Sequence, residues 1–321
     1  MAKSTNLSFL GIAKEITLGT PAAPTAFIPV KPPTVKDNLT LLEDKGLRGS
    51  MVDVYGQVAG KLSSEIDFDG DVYPDTVGWL LAGMLGDVTT TGASAPFTHA
   101  MSVQNGGTGQ PKSYTLTDYY VAGTRAYAGG KFSELGLKFS ADAMLTYSAK
   151  VMAFGSATAT KPTGSFTALP PLASWIGAVS IGGTPLTTVI DGEVNIKRSV
   201  TPVQTVSGTQ APIDMWSGPL TVDGKLTVVM DADTQLTNYL TAATPALLIN
   251  FASGAGASAT QVQLQMSSCT YSAAEISRGS DFVELDITFS ANANATDIGA
   301  SGGFSPILAT IKNAVATGIY V

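Results

Sequence analysis

Apolar and polar residues alternate with period two along much of this chain, the mark of strands with one buried and one wet face. One such strand occurs twice. In residues 60–69 the even positions Leu62, Ser64, Ile66 and Phe68 alternate with Lys61, Glu65, Asp67 and Asp69. In residues 224–233 Leu226, Val228, Met230 and Ala232 alternate with Lys225, Asp231 and Asp233. The copies are offset by 164 residues (226 − 62), about half the chain. Each runs into a segment of helical character, 75–85 and 234–243, for which Asp75 and Thr234 are candidate N-caps. A unit repeated in tandem predicts a pseudo-symmetric building block before it predicts a catalyst.

The remaining pattern fits two copies of one order. Residues 34–42 predict a strand and 43–57 a long loop punctuated by Gly46, Gly49 and Gly56, a length usually tied to function. The stretch 86–109 reads as irregular, and 113–121, 124–127, 132–139 and 144–154 as strands. Residues 156–171, rich in Thr, Ala, Gly and Pro, form the best linker, with a boundary near Ser165. Beyond it come a hairpin around Ile181-Gly182-Gly183-Thr184, a strand at 192–198, a long loop at 199–219, the echoed strand, a short helix, and strands at 247–251, 261–271 and 282–289. Prolines and glycines in 1–33 deny that stretch regular pairing. The expected organisation is therefore an N-terminal arm (1–33), a first domain (34–164), a second domain (165–295) and a C-terminal tail (296–321) that docks on a neighbouring surface. Each domain is mainly β, a sandwich or barrel with one short flanking helix and one long loop.

Composition narrows the function classes. Charged residues make up only 13% of the 321 residues and glycine numbers 34, which suits a surface largely covered by other copies of the chain. A balance of 18 basic to 25 acidic residues gives −7, and without a Lys/Arg cluster tight nucleic-acid binding is not expected. The single cysteine, Cys269, rules out an internal disulfide or a cysteine-based zinc site and reads as a small core residue. No secretory leader or membrane span is apparent, which predicts a protein made in a cytoplasm. The only histidine, His99, leaves no Ser-His-Asp arrangement beyond one loop residue and reads as structural or exposed. No phosphate-cradling or dinucleotide-binding glycine motif follows a strand. Asp67, Asp69, Asp71 and Asp75 alternate as calcium ligands can, but Gly78 stands where such a loop places its glutamate, and the first aspartates belong to a strand. No cofactor, metal or catalytic residue is therefore expected.

Carboxylates on the polar strand faces, Glu65, Asp67, Asp69, Glu134, Asp231, Asp233, Glu284 and Asp286, have another use if those faces line a channel. Their charge would keep a polyanion in transit from adhering. A plain acidic outer surface is the competing reading.

Several motifs then bear on family. Gly11-Ile-Ala-Lys-Glu15-Ile-Thr-Leu-Gly19-Thr20-Pro21, followed by Phe27-Ile-Pro29-Val30 and by Glu43-Asp-Lys-Gly46-Leu47-Arg48-Gly49, resembles the major tail tube proteins of long-tailed bacteriophages. The likeness in sequence covers the first half; for the second it is architectural. It implies a non-enzymatic virion protein whose copies form rings stacked into the tail tube. Strands of adjacent domains would pair edge to edge into one wall, and the arm, the tail and the two long loops would link stacked rings. The loop residues implicated are Glu43, Lys45, Leu47, Arg48, Met51, Val54 and Tyr55, and Val203, Val206, Ile213, Met215 and Trp216. The duplicated domain implies a trimeric ring with pseudo-sixfold symmetry, a hexameric ring being the alternative. The implied partners are the tape measure protein, the tail terminator and the distal tail protein, with DNA only in transit and no membrane. A β-rich decoration or adhesin-type module is the competing class; it accounts for the strands but not for two long loops at equivalent places.

Overall fold

The structure is a computed structural model that describes residues 3–278 and 281–320. The chain opens with β1 (Phe9–Lys14), β2 (Ala26–Ile28), β3 (Thr34–Asp44) and β4 (Gly56–Asp71), followed by α1 (Val77–Leu85). Next come β5 (Gly86–Thr91), β6 (Phe97–Val103), β7 (Tyr114–Tyr120), the long β8 (Gly123–Ser140), β9 (Thr146–Phe154) and the short β10 (Ala157–Thr158). After residues 159–172, which form neither helix nor strand, follow β11 (Gly177–Ile181), β12 (Thr184–Leu186), β13 (Val189–Val203), β14 (Asp214–Val229) and α2 (Thr234–Leu240). The chain closes with β15 (Leu247–Ser253), β16 (Thr260–Met266), β17 (Cys269–Arg278), β18 (Val283–Ala291) and β19 (Leu308–Asn313). The fold is mainly β, as the alternation predicts.

Two sheets share the core. Eight strands of the larger run in the order β3-β4-β9-β8-β13-β14-β18-β17, and the N-terminal part of β8 turns away to carry β7, β1 and β2. The smaller sheet runs β12-β11-β15-β16-β19-β6-β5. Buried Ile66, Phe68, Phe132 and Val151 belong to the same apolar cluster as Ile196, Leu226, Ile249 and Phe289. The rings of Phe139 and Phe251 join the two sheets with centroids 5.5 Å apart.

The two halves of the eight-strand run read alike. Each begins with a long hairpin, β3–β4 or β13–β14, and continues into a second hairpin entered through its later strand, β9 then β8, or β18 then β17. Their irregularities coincide. In β3–β4 the ladder slips between Leu39 and Leu41, so Thr40 faces Gly60 and Lys61; in β13–β14 it slips between Arg198 and Val200, so Ser199 faces Gly218 and Pro219. Ser133 is the extra residue of a bulge in β8, and Ser272 of one in β17. Bulges pin a register, and on these the counterpart of Gly60 is Gly218 and that of Phe68 is Leu226. The echo that aligns Gly60 with Gly224 is thus displaced by six residues (224 − 218). An even displacement keeps every side chain on its own face, so alternation alone cannot detect it.

Several expectations are corrected. Residues 9–14 and 26–28 are paired strands, not a free arm: Leu10, Ile12 and Ile28 are buried, and β1 lies between β2 and β7. Their register rests on the Gly11/Glu15/Gly19 motif. The Glu15 carboxylate, buried, accepts hydrogen bonds from Ser113 Oγ (2.7 Å), Thr115 Oγ1 (2.7 Å), Gly129 N (2.8 Å) and Gly19 N (2.9 Å). Gly19 has φ +75°, a conformation side chains resist, and a Cβ on Gly11 would lie 2.7 Å from Pro24 Cβ. Residues 86–103 form the β5–β6 hairpin, whose polar composition hid a strand pair closed by distant residues. His99 sits on β6 rather than in a loop, fully buried, with Nδ1 2.9 Å from Thr90 Oγ1 and Nε2 3.1 Å from Asn313 Oδ1.

The C-terminal tail docks on its own chain. β19 pairs with β16 on one side and β6 on the other, and buried Tyr320 packs edge-on against Trp79 and His99. This also explains the contrast between the helices. Val-Gly-Trp-Leu-Leu-Ala-Gly-Met-Leu of α1 is apolar all round and entirely buried, whereas α2, Thr-Gln-Leu-Thr-Asn-Tyr-Leu, has no buried residue and lies on β17. The expected helix bounds shrink accordingly, with Thr76 and Asp233 at the N-cap positions. Cys269 is a buried core residue.

Candidate functional site

Most residues singled out in the sequence fall on two surfaces, the tips of two long hairpins and the polar face of the larger sheet, and the two outer edges of that sheet form a third.

The long loops are shorter than the pattern suggests, because both hairpins keep pairing beyond their bulges. Glu43 is still in β3, opposite Gln57, and the first connection covers 45–55; Val203, Met215 and Trp216 are still in strands, and the second connection covers 204–213. Charge organises the first tip. Lys45 pairs with Glu43 (2.9 Å) and Asp53 (3.5 Å), and Arg48 pairs with Asp44 while its guanidinium lies 4.7 Å from the centre of the Tyr55 ring. Leu47 and Met51 project beyond this frame, 102% and 104% exposed, with Val52 beside them. On the second tip Val206 and Ile213 are exposed and Trp216 is half so. Val54, Tyr55 and Val203 are partly buried. Met215 is corrected: it is fully buried in the core, because β14 turns it inward at the start of its alternation, so it cannot meet a neighbour. An apolar side chain alone on a surface is ordinary, and it is several of them together that mark a contact surface. The stalk of the first hairpin extends that surface with exposed Leu39, Leu41, Leu42 and Val58; the run Leu39-Thr-Leu-Leu42 shows apolar character in sequence but not which side chains stay in water.

The polar face of the larger sheet gathers most of the acidic residues. Glu65, Asp67 and Asp69 on β4, Glu134 on β8, and Glu284 and Asp286 on β18 all oppose core residues on their strands, joined by Glu193, Asp223 and Glu275. Lysines offset part of this charge. Lys150 lies between Glu65 and Asp67, its hydrogen bond to Glu65 raising its pKa above the usual value; Lys197 pairs with Asp223 (3.3 Å) and Lys31 with Asp69 (2.9 Å). Such exposed pairs add little to stability; what they set is the charge of the face. A depression of about 510 Å³ on it is lined by Lys138, Glu193, Lys225, Glu275 and Asp286 among others. Asp231 and Asp233 are corrected, for β14 ends at Val229 and both lie in the turn before α2, Asp233 at its N-cap position. Among the described residues no group of three or more His, Cys, Asp or Glu is placed to hold a metal, and no helix is long and apolar enough to cross a membrane.

The third surface carries no sequence motif. Among the described residues β3 pairs only with β4 and β17 only with β18 as strands, so both ends of the eight-strand run offer an open edge. A monomer would have to blunt such edges; an assembling subunit uses them.

A family model described as phage tail tube protein matches residues 5–291. No curated protein matches the chain.

Proposed function

This chain belongs to the phage tail tube protein family, and from that premise we propose that its copies close into rings and that the rings stack into the tube through which the genome leaves the virion. The coarse role, a structural protein of the virion tail, follows from the family itself. The observation that carries the finer reading is the eight-strand run, made of two like quartets with an open edge at each end. The joint between the quartets, β8 against β13, lies inside the chain, and the same joint between chains would continue the wall. With two quartets per chain, three chains supply six sectors; six chains per ring is the alternative.

In this reading the acidic face lines the bore. Its sign keeps DNA from adhering, and no single residue is essential to that. The hairpin tips, with Leu47, Met51 and Val206 in water, supply apolar contact to neighbouring subunits and rings. Heterologous contacts of this kind propagate as a helical filament. Tube length and tube ends need further tail proteins, for which a tape measure protein, a tail terminator and a distal tail protein are the expected partners. Electron microscopy of the purified full-length protein, alone and with the tape measure protein and its chaperones, tests the reading. Stacked rings or tubes with three or six lobes are expected; a stable monomer under all these conditions would refute it.

A further inference from the structure

The internal joint specifies how two chains should meet. On the bulge positions Ser133/Ser272 and Thr40/Ser199, β8 is the counterpart of β17 and β13 the counterpart of β3. β8 and β13 are already paired, with Leu137 opposite Val194, Gly136 opposite Asn195, and the opposite charges of Lys138 and Glu193, and of Glu134 and Lys197, facing each other. β17 and β3 stand at the two free edges.

We propose that β17 of one chain pairs antiparallel with β3 of a second copy in the register of the internal joint, which puts Glu275 opposite Lys36, Ile276 opposite Val35 and Ala274 opposite Asp37. The proposal rests on the ring-forming reading above and adds to it the register and the residues that choose it.

Three features of the free edges agree with this register. Glu275 and Lys36 carry opposite charge, and among the described residues neither has an ion-pair partner within the chain. A slip of two residues would face Glu275 with Asn38 or Thr34 and lose the pair; a slip of one would turn every side chain to the wrong face. Ile276, 40% exposed, and partly buried Val35 are the counterparts of Leu137 and Val194, both buried in the internal joint. Pairing would close the same gap in the core at the edge. Asp37 takes the place of apolar Ile196, yet its carboxylate is folded back into its own chain, accepting from Ser64 Oγ, Ser156 N (3.2 Å) and Ser156 Oγ (2.6 Å). The small Ala274 opposite leaves it there. A charge held on the core side of an edge strand also discourages indiscriminate pairing.

A second contact follows from the same correspondence. Within the chain the 204–213 connection leans across the first quartet, where the Leu62 N–H donates to Gln210 O (3.1 Å), and Ser217 and Gln110 exchange two hydrogen bonds of 2.8 and 3.0 Å. The 45–55 connection would lean in the same way over the adjoining copy, near Leu220, the counterpart of Leu62, covering Met51 and its neighbours.

Charge reversal in the full-length protein tests the register. Glu275→Lys and Lys36→Glu should each raise the concentration needed for assembly at least about tenfold, since like charges face each other in every joint. The double variant should return to within about threefold of the unaltered protein. Both positions lie on exposed edges, and unchanged thermal unfolding of the monomer separates this effect from misfolding. Mild oxidation gives a second readout. Val35→Cys with Ile276→Cys should produce a ladder of disulfide-linked multimers, and Val35→Cys with Ala274→Cys, out of register, should not; buried Cys269 does not compete. Rings that form equally well with either single reversal, or that link equally in both cysteine pairs, overturn the register and leave the ring-forming reading standing. An unaltered protein that forms no rings overturns that reading, and the register with it.

Discussion

The Oε1 of Glu15 accepts the backbone N–H of Gly129 at 2.8 Å, fastening the residue after β1 to the stretch where β8 passes from its pairing with β7 to its pairing with β9. Three more donors converge on the same carboxylate. Glu15→Ala leaves them buried and unpaired, and Glu15→Gln turns an amide donor toward donors. Each should cost roughly 3 kcal/mol or more, read as a lower midpoint in urea unfolding followed by tryptophan fluorescence. A midpoint that does not move would mean that water satisfies these groups.

Tyr320 fastens the segment that follows β19. Its hydroxyl donates to Asp75 O (2.7 Å) and accepts from Asn313 Nδ2 (3.1 Å), and its ring lies over Gly78, where a Cβ would stand 2.3 Å from the ring. Tyr320→Phe should cost about 1 kcal/mol for the hydroxyl. Tyr320→Ala should cost about 3 to 5 kcal/mol and loosen α1. Hydrogen exchange over Val77–Leu85 would show the second effect as faster exchange of amides that are otherwise slow.

His99 makes stability depend on pH. Burial lowers its pKa below the ordinary value of about 6.5, against the opposing hydrogen bond to Asn313. The unfolded chain therefore binds the proton more readily than the folded one. The contribution is complete above about pH 6.5 and is lost as pH falls through the lowered folded-state value. His99→Gln should flatten this part of the profile, so the difference in unfolding free energy between the two proteins should change between pH 7 and pH 5. A difference constant over that range would show that the ring takes up its proton in place.

The exposed hairpin tips should matter to assembly and not to folding. Leu47→Ser with Met51→Ser removes apolar surface that meets only water within the subunit, and should alter monomer stability by less than about 0.5 kcal/mol. Tube yield in sedimentation should fall sharply. Tubes of normal yield and length would take this tip out of the assembly mechanism.

The reading from sequence succeeds where a local rule operates. Alternation located β4, β8, β9, β13, β14 and β18, and the Gly182-Gly183 pair, both at positive φ, is the two-residue turn that joins β11 to β12. It fails where distant residues decide. Nothing near Phe97–Val103 announces that β19, some two hundred residues later, will complete its pairing, and nothing near Asp231 reveals that β14 stops at Val229, because the ladder with β18 ends at Glu284. The acidic face was legible apart from those two aspartates, since face follows from parity. The free edges were not, because whether a strand has a neighbour is a property of the sheet and not of the strand.

The position of β19 bears on the order in which the two sheets fold. Of the described strands β19 stands furthest along the sequence, yet it lies between β16 and β6, in the interior of the seven-stranded sheet. Until it docks, β6 lacks its second partner and α1 lacks the cover of Tyr320. Its pairing with β6 closes a loop of some two hundred residues, the slow class of contact. The seven-stranded sheet and the cover over α1 should therefore close late and in one step, after the hairpins of the larger sheet.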